Sequence, residues 1–310
     1  MATYSSHGPT RSFSTDTSEV RHYDNLIKPD LVAPGNKIVS AEAANNYIVR
    51  THPDLETNNY STANMKLMYM SGTSVSAPMV AGAAAMLIEA NPNLTPNMVK
   101  MILMYTAQPL PGFNTFEQGA GQLNVAGAVA VAKLVRTDLL GLTSPSVGSS
   151  LLTQSAPSPQ TTISYSAFPW AQGLVLNHAT ITGTNLITKY QKSYGKGYVL
   201  GDGVIEGTDS QSLSTSMWTS NLSLGAYVMK SDGTPMGGGG VFCPTGIMLA
   251  DGIMLADGIM LADGIMLADG IMLADGIMLA DGIMLADGIM LADGIMLADS
   301  SLGDDTVGMH

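Results

Sequence analysis

One stretch of the chain has no polar face. After Ser74 come Val75, Ala77, Met79, Val80, Ala81, Ala83, Ala84, Ala85, Met86, Leu87 and Ile88. A helix apolar all round is a buried one, so the pattern predicts a buried central helix. Ser74 stands at its positive N-terminal end. Pro78 belongs in the first helical turn, where its missing N–H leaves nothing unpaired. Leu67 to Ser71 reads as a short strand that delivers the chain to this helix.

The other elements follow from the same reading. Met1 to Ser6 reads as a strand end and residues 5–9 as a turn, followed by a polar stretch without period from Thr10 to Asn25. Ile27 to Val32 and Ile38 to Ala41 read as short strands about the Pro34-Gly35 turn. Asn45 to Lys66 is polar and reads as a surface excursion. Thr95-Pro96 starts a second helix with an N-cap and a first-position proline. Its apolar face is Met98, Val99, Ile102, Leu103 and Tyr105. Asn124 caps a third helix, Val125 to about Val135. From Thr137 serine, threonine and glycine dominate, and short strands are predicted at residues 163–166, 174–176 and 222–228. Gly237 to Gly240 reads as a flexible linker.

Gly246 to Asp299 is nine identical copies of Gly-Ile-Met-Leu-Ala-Asp. An even period keeps each position on one face of a strand, and Asp-Gly is a turn signal. Two structures compete: a β-solenoid of stacked hexads, or an antiparallel β-meander with one strand per hexad. A glycine every six residues, each costing about 1 kcal/mol, and the lack of a stripe on a 3.6 period argue against a helix. Perfect identity is equally the mark of recent duplication of a short DNA unit without selected function. Calcium capture by the Asp-Gly turns is the one cofactor left open. No other metal or cofactor is expected.

Composition narrows the classes. The 310 residues allow two domains. The net charge of −12 is concentrated in the repeat, which holds nine of the 25 acidic residues. No basic stripe exists, which argues against nucleic acid as a partner. Cys243 is the only cysteine, so no internal disulfide forms. No run of 18 apolar residues occurs, so no membrane span is expected. No signal peptide is visible at Met1 to Ser6.

The stretch Gly72-Thr73-Ser74-Val75-Ser76-Ala77-Pro78, followed by Val80-Ala81-Gly82, resembles the nucleophile motif of the subtilases, the subtilisin-like serine proteases. Without its flanks the alternative is a buried helix with an ordinary N-cap serine. Three flanking elements in family order add to the resemblance. They are Ala2-Thr3-Tyr4-Ser5-Ser6-His7-Gly8-Pro9, with His7 where arginine is usual, then Lys28-Pro29-Asp30-Leu31-Val32-Ala33-Pro34-Gly35, then Gln118-Gly119-Ala120-Gly121-Gln122-Leu123-Asn124. The resemblance implies Ser74 as nucleophile, with Gly72, Thr73, Ala77 and Pro78 as its supporting motif, and Gly82 at a close packing contact.

An acyl-transfer mechanism also needs a base, a carboxylate to hold it, and oxyanion donors. The resemblance puts the family's aspartate, histidine and oxyanion asparagine upstream of the segments matched here. His7, His22 and His52 precede Ser74, as do Asp16, Asp24, Asp30 and Asp54, but none lies in the family's motifs. His178 and His310 read as bystanders, and Asp30 as a structural residue.

The expected fold is α/β. Residues 1–136 form the nucleophile half of a three-layer subtilisin-like domain. Residues 137–245 are a β-rich or poorly ordered appendage, 246–299 the repeat, and 300–310 a tail. The expected function is that of a fragment of a serine endopeptidase, inactive alone, whose substrate is a polypeptide. The parent is expected to be secreted or in the cell envelope. The other reading is a non-catalytic binding or structural protein, in which a degenerate protease scaffold presents the repeat as an assembly module.

Overall fold

A computed structural model describes residues 1–15, 17, 19, 21–24, 26–57, 65–139, 145–206, 211–225, 240–242 and 245–299, with backbone alone for 21–23, 206, 211 and the last two stretches. The first strands are β1 (Phe13–Thr15) and β2 (Arg21–Tyr23), an antiparallel pair. They lie in the stretch read as aperiodic. β3 (Ile38–Ala41) precedes helix α1 (Tyr47–Thr51) and pairs antiparallel with β4 (Leu67–Met70). Four helices follow: α2 (Thr73–Ala90), α3 (Pro96–Tyr105), α4 (Thr115–Gln118) and α5 (Val125–Ala132). Met1 to Ser6 holds a turn closed by Ser5 N–H on the Ala2 carbonyl at 3.0 Å, rather than a strand end.

The capping residues act as their chemistry requires. The Thr95 hydroxyl accepts from Met98 N–H at 3.0 Å, and the Asn124 side chain accepts from Gly127 N–H at 3.1 Å. The short α4 carries a reciprocal Asn114–Glu117 capping box.

The most buried helix is α3, not α2. Met98, Met101, Ile102 and Met104 are fully buried, with Leu103 and Tyr105 nearly so. α2 packs on α5 and α3 through one stripe, burying only Ala83 and Leu87. Met79, Met86 and Ile88 stand 42, 54 and 42 % exposed. The expectation of a helix covered on every side is therefore corrected. The reason is that the described residues pack against one side of α2 only. α2 also has the length for a membrane crossing, with 18 residues of mean hydropathy 1.3. Length and composition alone make that match, which tempers the expectation that nothing here could span a bilayer.

Downstream residues supply the other half of the core. β5 (Gln160–Ile163) and β6 (Ser166–Pro169) form a hairpin, and β7 (Gly173–Leu176) and β8 (Ala179–Thr182) another. Residues 163–166 were expected as one strand. Ser164 and Tyr165 instead have φ of 48° and 70° and make the turn between β5 and β6. After α6 (Asn185–Thr188) come the pair β9 (Val204–Glu206) and β10 (Gln211–Leu213), then β11 (Ser223–Gly225), which joins β8 in a three-stranded sheet, β11-β8-β7. β7 and the turn Lys192–Tyr194 pack on α3. Backbone bonds stitch the join: Ala171 N–H donates to the Ala107 carbonyl at 2.8 Å and Gln172 N–H to Tyr105 at 2.9 Å. One hydrophobic cluster runs from Ile27 through α3 to Trp218. The class is thus α/β, but among the described residues sheets of two or three strands stand where the three-layer domain expects a wide central one.

Tyr194 lies at the centre of this join. It is fully buried, edge-on to Tyr190 and Trp218, and donates to the Leu186 carbonyl at 2.8 Å. Burial, then the nearby Tyr105, push its phenol well above the usual value of 10.0. The neutral form is favoured in the folded state, so the unfolded chain releases this proton first as pH rises. Stability is complete below about pH 10 and falls above it. Tyr194→Phe is expected to lose about 1 kcal/mol at neutral pH, from the orphaned carbonyl. It is also expected to flatten the alkaline decline, as read by chemical denaturation at pH 8 and 11.

The nine hexads lie in one run of extended backbone, β13 (Thr245–Asp299). Its described partner is β12 (Gly240–Phe242), parallel, with Gly240 opposite Gly258. Parallel pairing excludes an antiparallel meander at that point. A closed solenoid is not present among the described residues. The side chains expected to take calcium lie outside the described residues.

Candidate functional site

The four family-like segments are far apart in sequence and meet in space. The second and fourth join first. Leu31 bridges Gly119 and Val32 bridges Gln122. Ala120 N–H donates to the Asp30 carbonyl at 3.0 Å, Val32 N–H to Gly121 at 2.9 Å, and Leu123 N–H to Val32 at 2.8 Å. Gly119, at φ 61°, lies so close that an added Cβ would sit 2.5 Å from the Asp30 carbonyl. The first segment joins through Gly8, whose N–H donates to Phe116 at 3.0 Å. The Asp30 carboxylate is held by Lys28 at 2.9 Å and Lys100 at 3.1 Å, a structural role that ties the second segment to α3.

The Pro34-Gly35 turn then reaches the nucleophile motif. Gly72 N–H donates to the Gly35 carbonyl at 2.8 Å. A Cβ at Gly35 would collide with the Ser76 hydroxyl and the Gly72 carbonyl. Tyr4 closes the ring, its hydroxyl 3.3 Å from the Gly35 carbonyl and 3.1 Å from the Asn36 side chain. The Ser71 hydroxyl accepts from Lys37 N–H at 2.8 Å and donates to Asn36 at 3.2 Å. The contacts that Tyr4, Asn36 and Ser71 make were not legible in the sequence, because their partners lie some thirty residues away. The Pro-Gly turn was the only local signal.

This frame aims the start of α2 outward. Gly72 is the N-cap at φ 148°, and Ser74 is the second helical residue, exposed. The N–H groups of a first turn have no intrahelical acceptor, and the helix dipole adds positive potential there. A developing oxyanion would find one backbone donor at Ser74 itself. Pro78 was expected in the first turn. It is instead the sixth residue of α2, because the helix starts at Thr73. It therefore offers no N–H to the Ser74 carbonyl, which loses its helical partner.

No described histidine or carboxylate bonds to Ser74. His7 Nδ1 lies 3.3 Å from the Gly8 carbonyl and His178 Nε2 2.6 Å from the Asp24 carbonyl. His52 sits exposed at the end of α1. Asp24 accepts from the Thr10 hydroxyl at 2.6 Å, and Asp54 lies in the exposed turn Pro53–Leu55. Asp16, His310 and the His22 side chain lie outside the described residues. Among the described residues, no three His, Cys, Asp or Glu side chains gather as a metal site.

Gly82 departs from expectation. A Cβ added there would meet nothing within 4 Å. A mid-helix glycine without a close neighbour costs about 1 kcal/mol and gains nothing within the described residues. It lies on the bare part of α2. Along another face of α2 runs an open apolar groove of about 920 Å³, lined by Ala77, Val80, Ala84, Ile88, Val99 and Leu103 among others.

Residues 1–133 match the sequence profile of the subtilase family. Serine protease AprX of Bacillus subtilis (strain 168) is 32% identical over 129 residues, covering 42% of this chain and 25% of that protein. Subtilisin-like protease SBT1.9 of Arabidopsis thaliana is 35% identical over 124 residues, covering 40% of this chain and 14% of the relative. Subtilisin-like protease SBT4.13 of the same plant is 31% identical over 134 residues, or 41% and 16%. Residues 1–133 thus belong to the subtilase family of serine proteases. The chain spans a quarter or less of the length of these relatives.

Proposed function

We propose that this chain is the nucleophile-bearing part of a subtilisin-like serine endopeptidase, with Ser74 as the attacking residue. The reading rests on one observation above all: four separated segments converge to fix Gly72 and present Ser74 on the first turn of α2. Gly72 and Thr73 form the tight approach, and Ala77 and Pro78 complete the motif. In the assembled enzyme Ser74 attacks the scissile carbonyl of a polypeptide and forms an acyl-enzyme, which water hydrolyses. On this reading the base that takes its proton comes from elsewhere, since no described histidine bonds to Ser74. The parent works outside the cytoplasm, as the family resemblance implies.

The bare apolar side of α2 is, on this reading, the seat of the remaining part of the domain. A contiguous exposed apolar patch on a soluble protein marks an interaction site. The occupant on this reading is the upstream part of a subtilase domain. Gly82 then has a role, as the point where that part approaches the helix backbone most closely.

The test is reassembly. Mixing this chain with the upstream part of a subtilase domain is expected to yield casein hydrolysis that neither part shows alone. Gly82→Ala is expected to stabilise the isolated chain by about 1 kcal/mol, because it removes a helix-interior glycine. The same change is expected to weaken reassembly at least tenfold, because a methyl group then occupies the approach. Equal reassembly by the variant would refute the docking of that part on α2. A mixture without activity that nonetheless forms a complex would favour the degenerate, non-catalytic scaffold.

A further inference from the structure

A second cavity, of about 450 Å³, is of a size that suits a small molecule. Every residue that lines it follows the stretch 1–133 matched to the subtilases. One wall is apolar, made by Leu139, Pro145 and Val147. The polar groups are Tyr190, Lys192, Lys196 and Tyr198, with two serines beside them. Tyr190 is the informative one. Its N–H donates to the Ser149 carbonyl and its carbonyl accepts from Gly148 N–H, both at 2.8 Å. Its ring stands edge-on to Tyr194, with centroids 6.4 Å apart. The residue is only 2 % exposed, yet its hydroxyl has no hydrogen-bond partner among the described residues. That hydroxyl lies against Gly195, also a lining residue, where an added Cβ would stand 2.8 Å from it. Buried hydroxyls are as a rule bonded, so one left open at a cavity wall is a donor that a ligand would satisfy. Burial, then Tyr198, raise this phenol above its ordinary value of 10.0, which keeps the proton on it at neutral pH.

The charge of the cavity is of one sign. Lys192 and Lys196 bring two ammonium groups, and no lining residue is acidic. The Lys192 ammonium stands 5.8 Å from the centre of the Tyr198 ring, a cation–π contact that keeps it beside the cavity. Neither lysine has a carboxylate partner among the described residues. The acids next to the lining residues in sequence are engaged elsewhere. Asp138 accepts from Arg136 at 2.8 Å, and Asp202 accepts from Val199 N–H at 2.8 Å. The residues between Leu139 and Pro145 add no charge. Two ammonium groups without an acid select a dianion and reject a zwitterion. Lysine offers point charges rather than the planar fork that matches a carboxylate, which favours the tetrahedral phosphate group. The apolar wall calls for an organic group attached to it.

We propose that this cavity binds a small phosphate monoester. Lys192 and Lys196 neutralise the phosphate, the Tyr190 hydroxyl donates to one of its oxygens, and the organic group lies against Leu139, Pro145 and Val147. The proposal is independent of the peptidase reading, and labelling of Ser74 does not bear on it.

Titration calorimetry of the full chain with phenyl phosphate is the test. Binding is expected with a Kd on the order of 0.1 mM at low salt, as suits so small a ligand. It is expected to weaken as salt is added, because the lysine charges are screened. Inorganic phosphate lacks the organic group and phthalate is a planar dicarboxylate, so each is expected to bind about tenfold more weakly. Tyr190→Phe is expected to weaken phenyl phosphate about tenfold, the scale of one hydrogen bond to a charged group. The same variant is expected to keep its denaturant midpoint, because the hydroxyl has no partner among the described residues. Lys192→Gln together with Lys196→Gln is expected to abolish measurable binding and leave the fold intact, since both residues are exposed. No binding of phenyl phosphate at millimolar concentration, or unchanged binding by either variant, would overturn the site. Phthalate or inorganic phosphate binding as tightly as phenyl phosphate would overturn the ligand class. A Tyr190→Phe chain that loses stability together with binding would overturn the role given to that hydroxyl.

Discussion

Gly119→Ala is expected to unfold the subtilase segment. The residue sits at φ 61°, and a Cβ would meet the Pro29 carbonyl and the Asp30 backbone 2.5 Å away. Both obstacles are backbone, so neither can swing aside. The two strips they belong to also carry the bonds from Ala120 to Asp30 and from Leu123 to Val32. Separating the strips exposes those donors and acceptors as well. The expected loss is about 4 kcal/mol, near the upper end for one substitution and a large share of a typical domain's stability. Gly112→Ala is the internal control. Its φ is 84°, but nothing lies within 4 Å of the added Cβ, so only the backbone strain of about 1 kcal/mol is expected. Denaturant midpoints of the two variants, measured side by side, check the difference.

Ser74→Ala is expected to remove the peptidase activity of the reassembled domain almost entirely. Loss of a serine nucleophile from a complete triad lowers turnover about a million-fold. The substitution is expected to leave stability nearly unchanged, because Ser74 is exposed and its hydroxyl holds no partner among the described residues. That combination separates chemistry from folding. Casein hydrolysis and thermal unfolding of the same preparation check it. A variant that keeps a tenth of the activity would contradict the role given to Ser74.

The elements carried by local chemistry were legible in the residues alone. Thr95-Pro96 and Asn124 each begin a helix where their side chains accept a backbone N–H, and Leu67 to Met70 is a strand. The glycine turn at Gly119 and Gly121 was legible as well, since both carry positive φ. What failed to show was packing. The apolar run of α2 reads as a buried helix because burial is a property of neighbours, and the described residues line one stripe of it. α3 is the true centre because β7 and the turn Lys192–Tyr194 close over it from residues too far downstream to be paired by pattern. Pro78 misled for a simpler reason: the helix starts five residues earlier, at Thr73, as soon as Gly72 ends the strand side. For the candidate site, the motif at Ser74 was legible, whereas the ring of Tyr4, Gly35, Asn36 and Ser71 that frames it was not. Each contact in that ring joins residues about thirty positions apart.

The claim at the centre is that Ser74 is a positioned nucleophile awaiting its base. A fluorophosphonate probe tests it most directly, followed by mass spectrometry of the labelled peptide. The account predicts negligible labelling of this chain alone, and rapid single-site labelling at Ser74 once the upstream part of a subtilase domain is added. Rapid labelling of the chain by itself, or labelling at another serine after reassembly, would contradict it.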